Sequence, residues 1–264
     1  MRPTRRWWLI GLVAVWIAVV GGLAVWSVGH ERATVPEQRD IGLAVADLQR
    51  AAGTAYAAAT GTDRAVVLGE VELARDCRIT PVRSGLAAAR AVTIYVDDTK
   101  APEVVEDIAA RLPGDWAADW GLSSGGTRIS LHADAGNFVG LDLSAAAVAS
   151  TLTLRLTTGC RPLDGAAPST ADASAAPAPA RLATVVKALG AQPAASVART
   201  VVCPSGGVAG SWTVDGLPKQ DGRKVPAQPV RVDDTLGAYL AGADSVVVRH
   251  DADQLSVTVS TACQ

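Results

Sequence analysis

The stretch from Gly121 to Gly125 is Gly-Leu-Ser-Ser-Gly, which matches the G-x-S-x-G pattern of serine hydrolases. In that motif the serine lies on a sharp turn between a strand and a helix, where its hydroxyl meets a histidine base. Here a strand-like segment follows Ser123 instead of a helix, and the histidines downstream of it are His132 and His250. We therefore predict a flexible loop, with a serine hydrolase using Ser123 as the weaker alternative.

His132 and His250 each end a strand-like segment before an acidic turn, so they occupy similar places in the two halves of the chain. A facing pair of histidines suits a pH switch or part of a metal site, but zinc needs further ligands. We interpret the two histidines first as partly exposed strand-end residues and second as candidate binding residues. No metal site is predicted.

Trp116 and Trp120 stand four residues apart and would share one face if their segment were helical. On such a face they are candidate binding residues, which could stack on a sugar ring of the cell envelope or anchor a protein partner. The alternative is that they cover the edge of a small hydrophobic core, since large aromatic side chains dominate burial.

Two pairs of adjacent carboxylates, Asp97-Asp98 and Asp233-Asp234, raise the possibility of acid/base chemistry. Neighbouring residues on a strand point to opposite faces, so these pairs are better explained as strand-ending or helix-capping residues. The sequence also shows no glycine-rich phosphate loop, no metal-ligand cluster and no matched nucleophile and base. We therefore predict no catalytic residue, no cofactor and no enzymatic activity.

The four cysteines all lie beyond the apolar segment from Trp7 to Val28, and none is spaced as C-x-x-C. An even number in an oxidising compartment predicts two disulfides, and spacing alone leaves three pairings open. The absence of C-x-x-C removes the sequence support for zinc or thioredoxin-like chemistry.

An internal repeat narrows the choice of pairing. Matching stretches occur in the same order in both halves of the chain: 43–48 with 182–189, 74–77 with 198–203, 96–99 with 232–235, and 153–160 with 256–263. Repetition of this kind predicts two related structural units. It also predicts the disulfides Cys77–Cys160 and Cys203–Cys263, each inside its own unit and each tying an early strand to the last strand.

Both units are expected to contain helices and mostly antiparallel strands. Helices are predicted from Ile41 to about Ala59, over 102–112 and over 182–189, and strands over 65–80, 91–96, 127–132, 138–143 and 151–158. The first helix is interpreted equally as a packed element or as a spacer. Residues 121–126 are predicted to be a loop.

These units follow an apolar segment, Trp7 to Val28, that carries no charge and would span about 33 Å as a helix. That length crosses a bilayer, and Arg2, Arg5 and Arg6 before it predict a cytoplasmic N-terminus and an exported body. A signal peptide cleaved after Gly29 is the alternative, although its apolar region is usually shorter.

The predicted fold is therefore α+β, with a single transmembrane helix and two related disulfide-linked units. Its divisions are a stub (1–6), the transmembrane helix (7–28), a stalk (29–40), a first unit (41–161), a Pro/Ala-rich linker (162–180) and a second unit (181–264). Acidic residues outnumber basic ones, 26 to 24, and the excess is larger outside the stub, which disfavours nucleic acid or anionic lipid as a partner of that surface.

In its anchor, alanine and arginine bias and disulfide-linked body, the chain resembles envelope proteins of high-GC Gram-positive bacteria. We predict a single-pass cell-membrane protein that contacts the bilayer through residues 7–28. Its exported body is expected to be a non-enzymatic binding or scaffolding module with an envelope protein as partner. A small-ligand or pH sensor, binding between the units near the two histidines and the two tryptophans, is the alternative.

Overall fold

The fold follows the division of the chain into one long apolar helix and two strand-rich regions. The computed structural model describes residues 4–30, 39–81, 83–163, 165–172, 176–192, 194–219, 224–251 and 254–263. Across these residues the chain has an N-terminal apolar helix, two antiparallel six-stranded sheets and two disulfides. This arrangement confirms the predicted α+β class.

Helix α1 spans Thr4–His30, and its segment Trp7–Trp26 has 20 residues with a mean hydropathy of 2.4. None of that segment is buried against the rest of the described chain. By length and composition the helix is able to cross a membrane, and a signal sequence has the same properties. Residues 31–38, which make up most of the predicted stalk, lie outside the described residues.

The first sheet has the strand order β1-β2-β6-β5-β4-β3, with all neighbouring pairs antiparallel. Its strands are β1 Ala65–Thr80, β2 Arg83–Tyr95, β3 Asp119–Leu122, β4 Arg128–Asp134, β5 Gly140–Ala146 and β6 Thr151–Arg161. Strand β6 alternates between buried leucines and exposed polar residues, as the sequence predicts: Leu152 and Leu154 are buried, and Thr153 and Arg155 are exposed.

Helices α2 (Ile41–Ala59) and α3 (Ala101–Arg111) belong to the same half of the chain, and α2 packs on β2 and β6. Asp40 caps α2, since its carboxylate accepts a hydrogen bond from the backbone N–H of Gly42 at 2.7 Å. Ile41, Leu48 and Ala52 are fully buried, so α2 is a packed element and the interpretation as a spacer was wrong.

The second sheet has the order β7-β8-β12-β11-β10-β9. Its strands are β7 Val197–Val202, β8 Val208–Pro218, β9 Gln228–Val232, β10 Leu236–Ala241, β11 Asp244–Asp251 and β12 Gln254–Thr261. Helix α4, Ala180–Ala188, precedes this sheet as α2 precedes the first. In each sheet, therefore, the first two strands pair with each other and the sixth strand lies beside the second.

The disulfides have the predicted pairing. Cys77 in β1 is bonded to Cys160 in β6, across 83 residues of sequence. Cys203, directly after β7, is bonded to Cys263, which follows β12, across 60 residues. Each bond thus connects the first strand of a sheet, or the residue after it, to the last strand of that sheet or the residues just after it.

The two sheets pack directly against each other, and β1 is the main strand of the first sheet in this contact. The backbone N–H of Val66 donates to the Ser245 hydroxyl at 2.9 Å, and that of Leu68 donates to the Ser211 hydroxyl at 2.8 Å. Because β1 turns these backbone donors towards the second sheet, serine side chains in that sheet must satisfy them.

Helix α2 also reaches the second sheet. The hydroxyl of Tyr56 donates to the backbone carbonyl of Thr261 at 2.8 Å. Gly53 lies so close to β7 that an added Cβ atom would be 2.0 Å from the carbonyl oxygen of Val202. A side chain at position 53 would therefore separate the helix from the strand.

The Pro/Ala-rich segment 162–180 joins the two sheets, and two of its carbonyls are hydrogen-bonded to α2 and to β8. The Gln49 side chain donates to the carbonyl of Ala171 at 2.9 Å, and the Trp212 indole N–H donates to that of Ala176 at 3.2 Å. The composition of the segment predicts a linker but contains no signal for this docking, because the donors come from distant parts of the chain.

Two local expectations need correction. Strand β2 begins at Arg83 rather than at Ala91, and β3 includes Gly121 and Leu122, which were predicted to lie in a loop. Alanine-rich and glycine-containing segments have low strand propensity, so pairing with neighbouring strands decides their structure.

The matched stretches 96–99 and 232–235 do not occupy equivalent places. The first follows β2, the second strand of its sheet, whereas the second follows β9, the third strand of its sheet. In both, an aspartate accepts hydrogen bonds from the backbone and hydroxyl of the threonine two residues on. Their likeness is that of one turn type used twice.

Candidate functional site

A groove of about 570 Å³ lies between the two halves of the body. Its first wall is the loop after α2, from Thr60 to Arg64, together with α3 residues Asp107 and Arg111. Its second wall is the β10–β11 turn at Gly242 and Ala243, with Ala262 beyond β12. We call this feature the inter-sheet groove. The first wall is polar, and the second consists of small glycine and alanine residues.

Arg64 lies at the base of the groove, beneath its first wall, and only 4% of its side chain is exposed. Its Nε pairs with the Asp63 carboxylate at 2.8 Å and its Nη2 with that of Asp107 at 2.5 Å. A buried guanidinium requires such partners, because an uncompensated charge is costly away from water. Asp63 and Asp107 thus hold Arg64 beneath the groove.

Arg111 is the cation of this wall that faces solvent, with 45% of its side chain exposed. It lies one turn after Asp107 on α3 and pairs with it at 3.1 Å, while its Nη1 donates to the carbonyl of Thr60 at 2.6 Å. Glu103, one turn before Asp107, is exposed at the rim. The groove therefore offers both charge signs to a polar ligand, and its described lining includes no histidine or cysteine for nucleophilic or metal chemistry.

The two candidate histidines lie outside this groove and apart from each other. His132 is on β4, where its Nδ1 is 2.6 Å from the carboxylate of Asp142 on β5. Strand β4 is four strands from β1, which is about 19 Å at the usual spacing. His250 is on β11, half-buried, with its backbone N–H donating to the carbonyl of Thr235 at 2.8 Å.

The positions of the histidines are also not equivalent between the sheets. His132 is on the fourth strand of the first sheet and His250 on the fifth strand of the second. The prediction that they occupy similar places in the two halves was wrong: both lie near the ends of their strands, but the strands hold different places in the order along the chain. Among the described residues, no group of three or more His, Cys, Asp or Glu side chains is placed to hold a metal ion.

The two tryptophans belong to different elements rather than to one helix. Trp116 is in a short 3₁₀ turn, Gly114–Trp116, and is 7% exposed, whereas Trp120 is half-buried in β3. Both pack against the core of the first half, and neither lines the inter-sheet groove. Their contacts agree with the alternative that they cover the edge of a core.

Ser123 lies in the turn between β3 and β4. Its backbone N–H donates to the carbonyl of Arg128 at 2.9 Å, and its hydroxyl accepts from the Arg128 backbone at 3.2 Å. A nucleophile elbow needs a helix after the serine, and here a strand follows. The local geometry of the motif is that of a hairpin turn.

The structure contains a buried ion pair, between Arg90 and Asp172, that was not predicted from the sequence. Arg90 on β2 is fully buried, and its Nη2 pairs with the Asp172 carboxylate of the linker at 2.8 Å. The other oxygen of Asp172 accepts from the backbone N–H of Thr200 on β7 at 2.6 Å. Asp172 thus connects both sheets. Burial lowers the pKa of Arg90, and the neighbouring carboxylate opposes that effect.

One signal for Arg90 was present in the sequence. Val92 and Ile94, two and four residues further along β2, are buried on the same face as Arg90, whereas Ala91 and Thr93 between them are half-buried. Strand periodicity therefore places Arg90 on the inward face, and an inward arginine requires a carboxylate or carbonyl partner. Its Nε donates to the carbonyl of Gly69 at 3.0 Å, and within the described part of the chain its Nη1 has no partner.

No protein-family model and no curated protein matches the chain. Among solved structures, the chain is similar to a DUF4853 family protein from Actinomyces odontolyticus, with 12% sequence identity. The similarity covers 67% of this chain and 93% of that chain, with a TM-score of 0.36. Values this low assign neither a fold nor a function to the chain.

Proposed function

We propose that α1 is an uncleaved membrane anchor and that the rest of the chain is an exported, non-enzymatic binding or scaffolding body of a bacterial cell envelope. The observation that carries the proposal is the uncovered apolar surface of α1, none of which is buried between Trp7 and Trp26. A helix that is apolar all round needs an apolar environment, and the body does not supply it. The lipid bilayer is the environment of matching thickness.

The direction of insertion follows from charge and redox chemistry. Arg2, Arg5 and Arg6 precede the apolar segment, which favours a cytoplasmic N-terminus. Both pairs of cysteines are bonded, which is typical of proteins that fold outside the cytoplasm. These two properties agree with each other, and together they support an exported body.

We further propose that residues 41–161 and 181–264 are two related units. The common strand order of the sheets, the helix before each sheet and the matching disulfide positions support a duplication. The docked linker and the contacts of β1 then combine the units into one binding body.

Topology is tested by protease protection in intact cells carrying the full chain with an N-terminal and a C-terminal tag. The proposal predicts that added protease removes the C-terminal tag while the N-terminal tag survives. An intact-mass measurement distinguishes the anchor from a signal sequence. A mass corresponding to cleavage after Gly29 would contradict the uncleaved anchor and leave an exported soluble body.

The binding role is tested by extracting the intact protein in detergent and recovering proteins that copurify with it. A reproducible envelope partner, retained after crosslinking in the native membrane, supports the scaffolding role. A detergent-solubilised chain that is monomeric and without a partner argues against it. Activity against a panel of ester substrates that is lost on Ser123→Ala would instead support the hydrolase alternative.

A second candidate function, the sensing of a small polar ligand, is favoured by the inter-sheet groove. The groove lies between both halves, so a ligand there would couple their positions. The test is a thermal-shift screen with polar metabolites on the full chain. A hit should lose its shift in Arg111→Ala and keep it in Arg128→Ala, a change of an exposed arginine on β4. If no compound in the library shifts the melting temperature at any pH from mildly acidic to neutral, this function is excluded.

A further inference from the structure

One end of the first sheet carries several unusual exposed side chains. The C-terminal end of β6 marks this end, because the backbone N–H of Ile41, at the start of α2, donates to the carbonyl of Pro162 just beyond β6 at 3.0 Å. The chain that leads back to α1 therefore leaves the body here. We call this region the tether end. It includes the β1–β2 tip, the β4–β5 turn and the start of α2.

Large apolar side chains are exposed at the tether end. Phe138 in the β4–β5 turn is 49% exposed, Leu163 after β6 is 41% exposed, and Leu43 in the first turn of α2 is 60% exposed. Arg161, at the end of β6 and two residues before Leu163, donates from its guanidinium to the carbonyl of Phe138 at 3.0 Å. These exposed apolar groups are available to an apolar partner.

The conformation of Phe138 is held in place rather than accidental. Asn137 and Phe138 have φ values of 51° and 58°, which are unusual for residues other than glycine, and most unusual for a bulky one. The buried guanidinium of Arg161 donates to both of their carbonyls and lies 5.9 Å from the centre of the Phe138 ring. Backbone strain of this kind marks functional positions when the surroundings maintain it. Here it turns an aromatic ring outward.

The β1–β2 tip of the tether end is basic, although acidic residues exceed basic ones in the chain as a whole, 26 to 24, and Asp134 and Asp40 lie at the β4–β5 turn and at the start of α2. The β1–β2 tip between positions 75 and 83 contains Arg75, Arg78 and Arg83 against one acidic residue, Asp76. Arg75 and Arg78 are exposed. An aromatic ring and leucines beside exposed arginines have the chemistry of a surface that lies in the headgroup region of an anionic bilayer.

The length of the connecting chain brings this surface within reach of lipid. From His30 at the end of α1 to Ile41 at the start of α2, the chain can extend to at most about 40 Å. That is similar to the length of β6, about 36 Å at the usual rise per residue. The body is thus held close to the membrane by the same end that exposes Phe138.

We propose that the tether end lies on the anionic bilayer in which α1 is anchored, with Phe138 and Leu163 at the headgroup level and the β1–β2 arginines against lipid phosphates. This inference rests on the proposed anchor. It also orients the body, because the inter-sheet groove lies near the start of β1, at the opposite end of the first sheet. The groove would face away from the membrane and towards its ligand or partner.

The chain contains a single phenylalanine, so 4-fluorophenylalanine labels Phe138 alone without any mutation. The full-length protein is placed in nanodiscs of phosphatidylcholine with phosphatidylglycerol, and ¹⁹F relaxation is measured with a water-soluble gadolinium chelate and with a lipid-attached nitroxide. We expect several-fold weaker relaxation by the chelate than in lipid-free detergent, and strong broadening by the nitroxide.

A matched control moves the label to the other end of the sheet. The double variant Phe138→Leu, Val148→Phe places the fluorine in the β5–β6 turn, where Val148 is 74% exposed. This label should remain accessible to the chelate and unaffected by the nitroxide. Equal accessibility at the two positions overturns the proposal. In Arg75→Glu, Arg78→Glu, shielding of Phe138 should be lost, and unchanged shielding overturns the anionic surface as the partner.

Flotation of the labelled full-length protein, reconstituted into vesicles of the same lipids instead of nanodiscs, separates the two proposals. Protein that floats while its Phe138 label stays accessible has an inserted anchor but no surface contact, so only the present inference fails. Protein that does not float refutes the anchor, and the inference fails with it. Intact disulfides in each variant, checked by non-reducing mass spectrometry, show that the body is folded.

Discussion

The two sheets have one strand order but very different coverage. The first is accompanied by the 19 residues of α2 and the 11 of α3, while the second, among the described residues, has only the nine of α4. Part of the missing cover comes from the first half, since Gly53 and Tyr56 of α2 contact β7 and the last residue of β12. Two sheets with the same strand order are therefore not equally able to fold without each other. The second sheet depends on the first.

A mixed cluster of apolar residues shows the same dependence. Ala65 and Tyr95 of the first sheet form one buried cluster with Ala238 and Val247 of the second. Removing the first half would expose that surface to water, at about 25 cal/mol for each Å² uncovered. The comparison therefore predicts that damage to the second sheet or to its contacts unfolds the body more readily than similar damage at the free end of the first.

Loss of a disulfide should have the largest effect. On the chain-entropy model, separations of 83 and 60 residues make each bond worth about 4 to 5 kcal/mol, with the longer loop slightly ahead. Cys203, however, is 3% exposed in the core, while Cys77 and Cys160 are half-buried at the sheet end. We expect Cys203→Ala, Cys263→Ala to lower the urea midpoint further than Cys77→Ala, Cys160→Ala. If the Cys77→Ala, Cys160→Ala variant had the lower urea midpoint, the entropy of the longer loop would outweigh the burial of Cys203.

Asp172→Asn tests whether the linker joins the sheets. The substitution keeps the shape of the side chain but leaves the guanidinium of Arg90 buried without a counter-charge, and places an amide near the N–H of Thr200. Breaking a buried pair on one side costs about 3 to 5 kcal/mol. Thermal unfolding monitored by near-UV circular dichroism measures the loss.

The matched control for Asp172→Asn is Glu72→Gln, which breaks the exposed pair of Glu72 with Arg155 inside the first sheet. Such pairs are worth at most about 1 kcal/mol. If the two variants lose equal stability, the linker contact is no more than a surface pair and the sheets are held together by β1 and α2 alone.

Gly53→Ala tests the contact between α2 and β7. In most buried helices an alanine is more favourable than a glycine, by about 1 kcal/mol. Here the added methyl would lie 2.0 Å from a backbone oxygen, which cannot rotate away, so we expect a loss of about 2 to 3 kcal/mol. Gly114→Ala, whose added Cβ meets nothing within 4 Å, is the control. A stabilised Gly53→Ala would show that the helix and strand separate freely.

Gly53 also shows what the sequence is able to predict. Apolar spacing and an aspartate cap predict the helix around it, local residue patterns predict β1, α3 and β6, and the repeated order of matching stretches predicts the disulfide pairing. These elements depend on neighbours a few residues apart or on a repeated order. The identity of Val202 as the partner of Gly53 depends on tertiary packing, for which the sequence offers no periodic signal.

The candidate site was less predictable than the fold. The tryptophans and histidines were chosen by residue type and spacing, but the inter-sheet groove is built from Arg64, Asp107 and Arg111, which look like ordinary surface charges in the sequence. Their proximity arises because β1 begins beside α3. The matched stretches 96–99 and 232–235 wrongly indicated equivalent places in the two halves. They are alike because both form the same type of turn, although the two turns follow different strands.

Tyr56→Phe should have a smaller effect at neutral pH and a distinctive one in alkali. Removing the hydrogen bond to the Thr261 carbonyl costs about 1 kcal/mol. Burial raises the pKa of Tyr56 above its ordinary value of about 10, so the unfolded chain loses this proton first as the pH rises. The stability linked to Tyr56 is complete below that value and falls above it.

Urea unfolding of both proteins across the alkaline range measures the effect. The wild type should lose stability more steeply than Tyr56→Phe above about pH 10. Tyr239, whose pKa burial also raises, is present in both proteins and cancels. Parallel pH profiles would mean that Tyr56 is accessible to solvent and that α2 is not sealed against the second sheet.

The smallest expected effect compares the two Val-Asp-Asp-Thr turns. In each, hydrogen bonds from the threonine hydroxyl and backbone lower the pKa of the first aspartate, to about 2 for Asp233. Asp233 has two further supports, the backbone N–H of Leu236 at 2.9 Å and the guanidinium of Arg231 at 2.6 Å. The turn of the second half is therefore the more strongly bonded of the two, although its sheet is the less covered.

Replacing the threonine by valine removes the strongest of these contributions in each turn. With Thr99→Val, the pKa of Asp97 should return close to its ordinary value, because a backbone hydrogen bond and the nearby Lys100 are all that remain to lower it. With Thr235→Val, the pKa of Asp233 should rise but stay below the ordinary value, because Leu236 and Arg231 still stabilise the carboxylate. Carboxyl ¹³C shifts followed through an acid titration measure both. If the pKa of Asp97 in Thr99→Val were lower than that of Asp233 in Thr235→Val, the hydrogen bonds at Asp233 would not be formed in solution. The two turns would then differ for a reason other than their local donors.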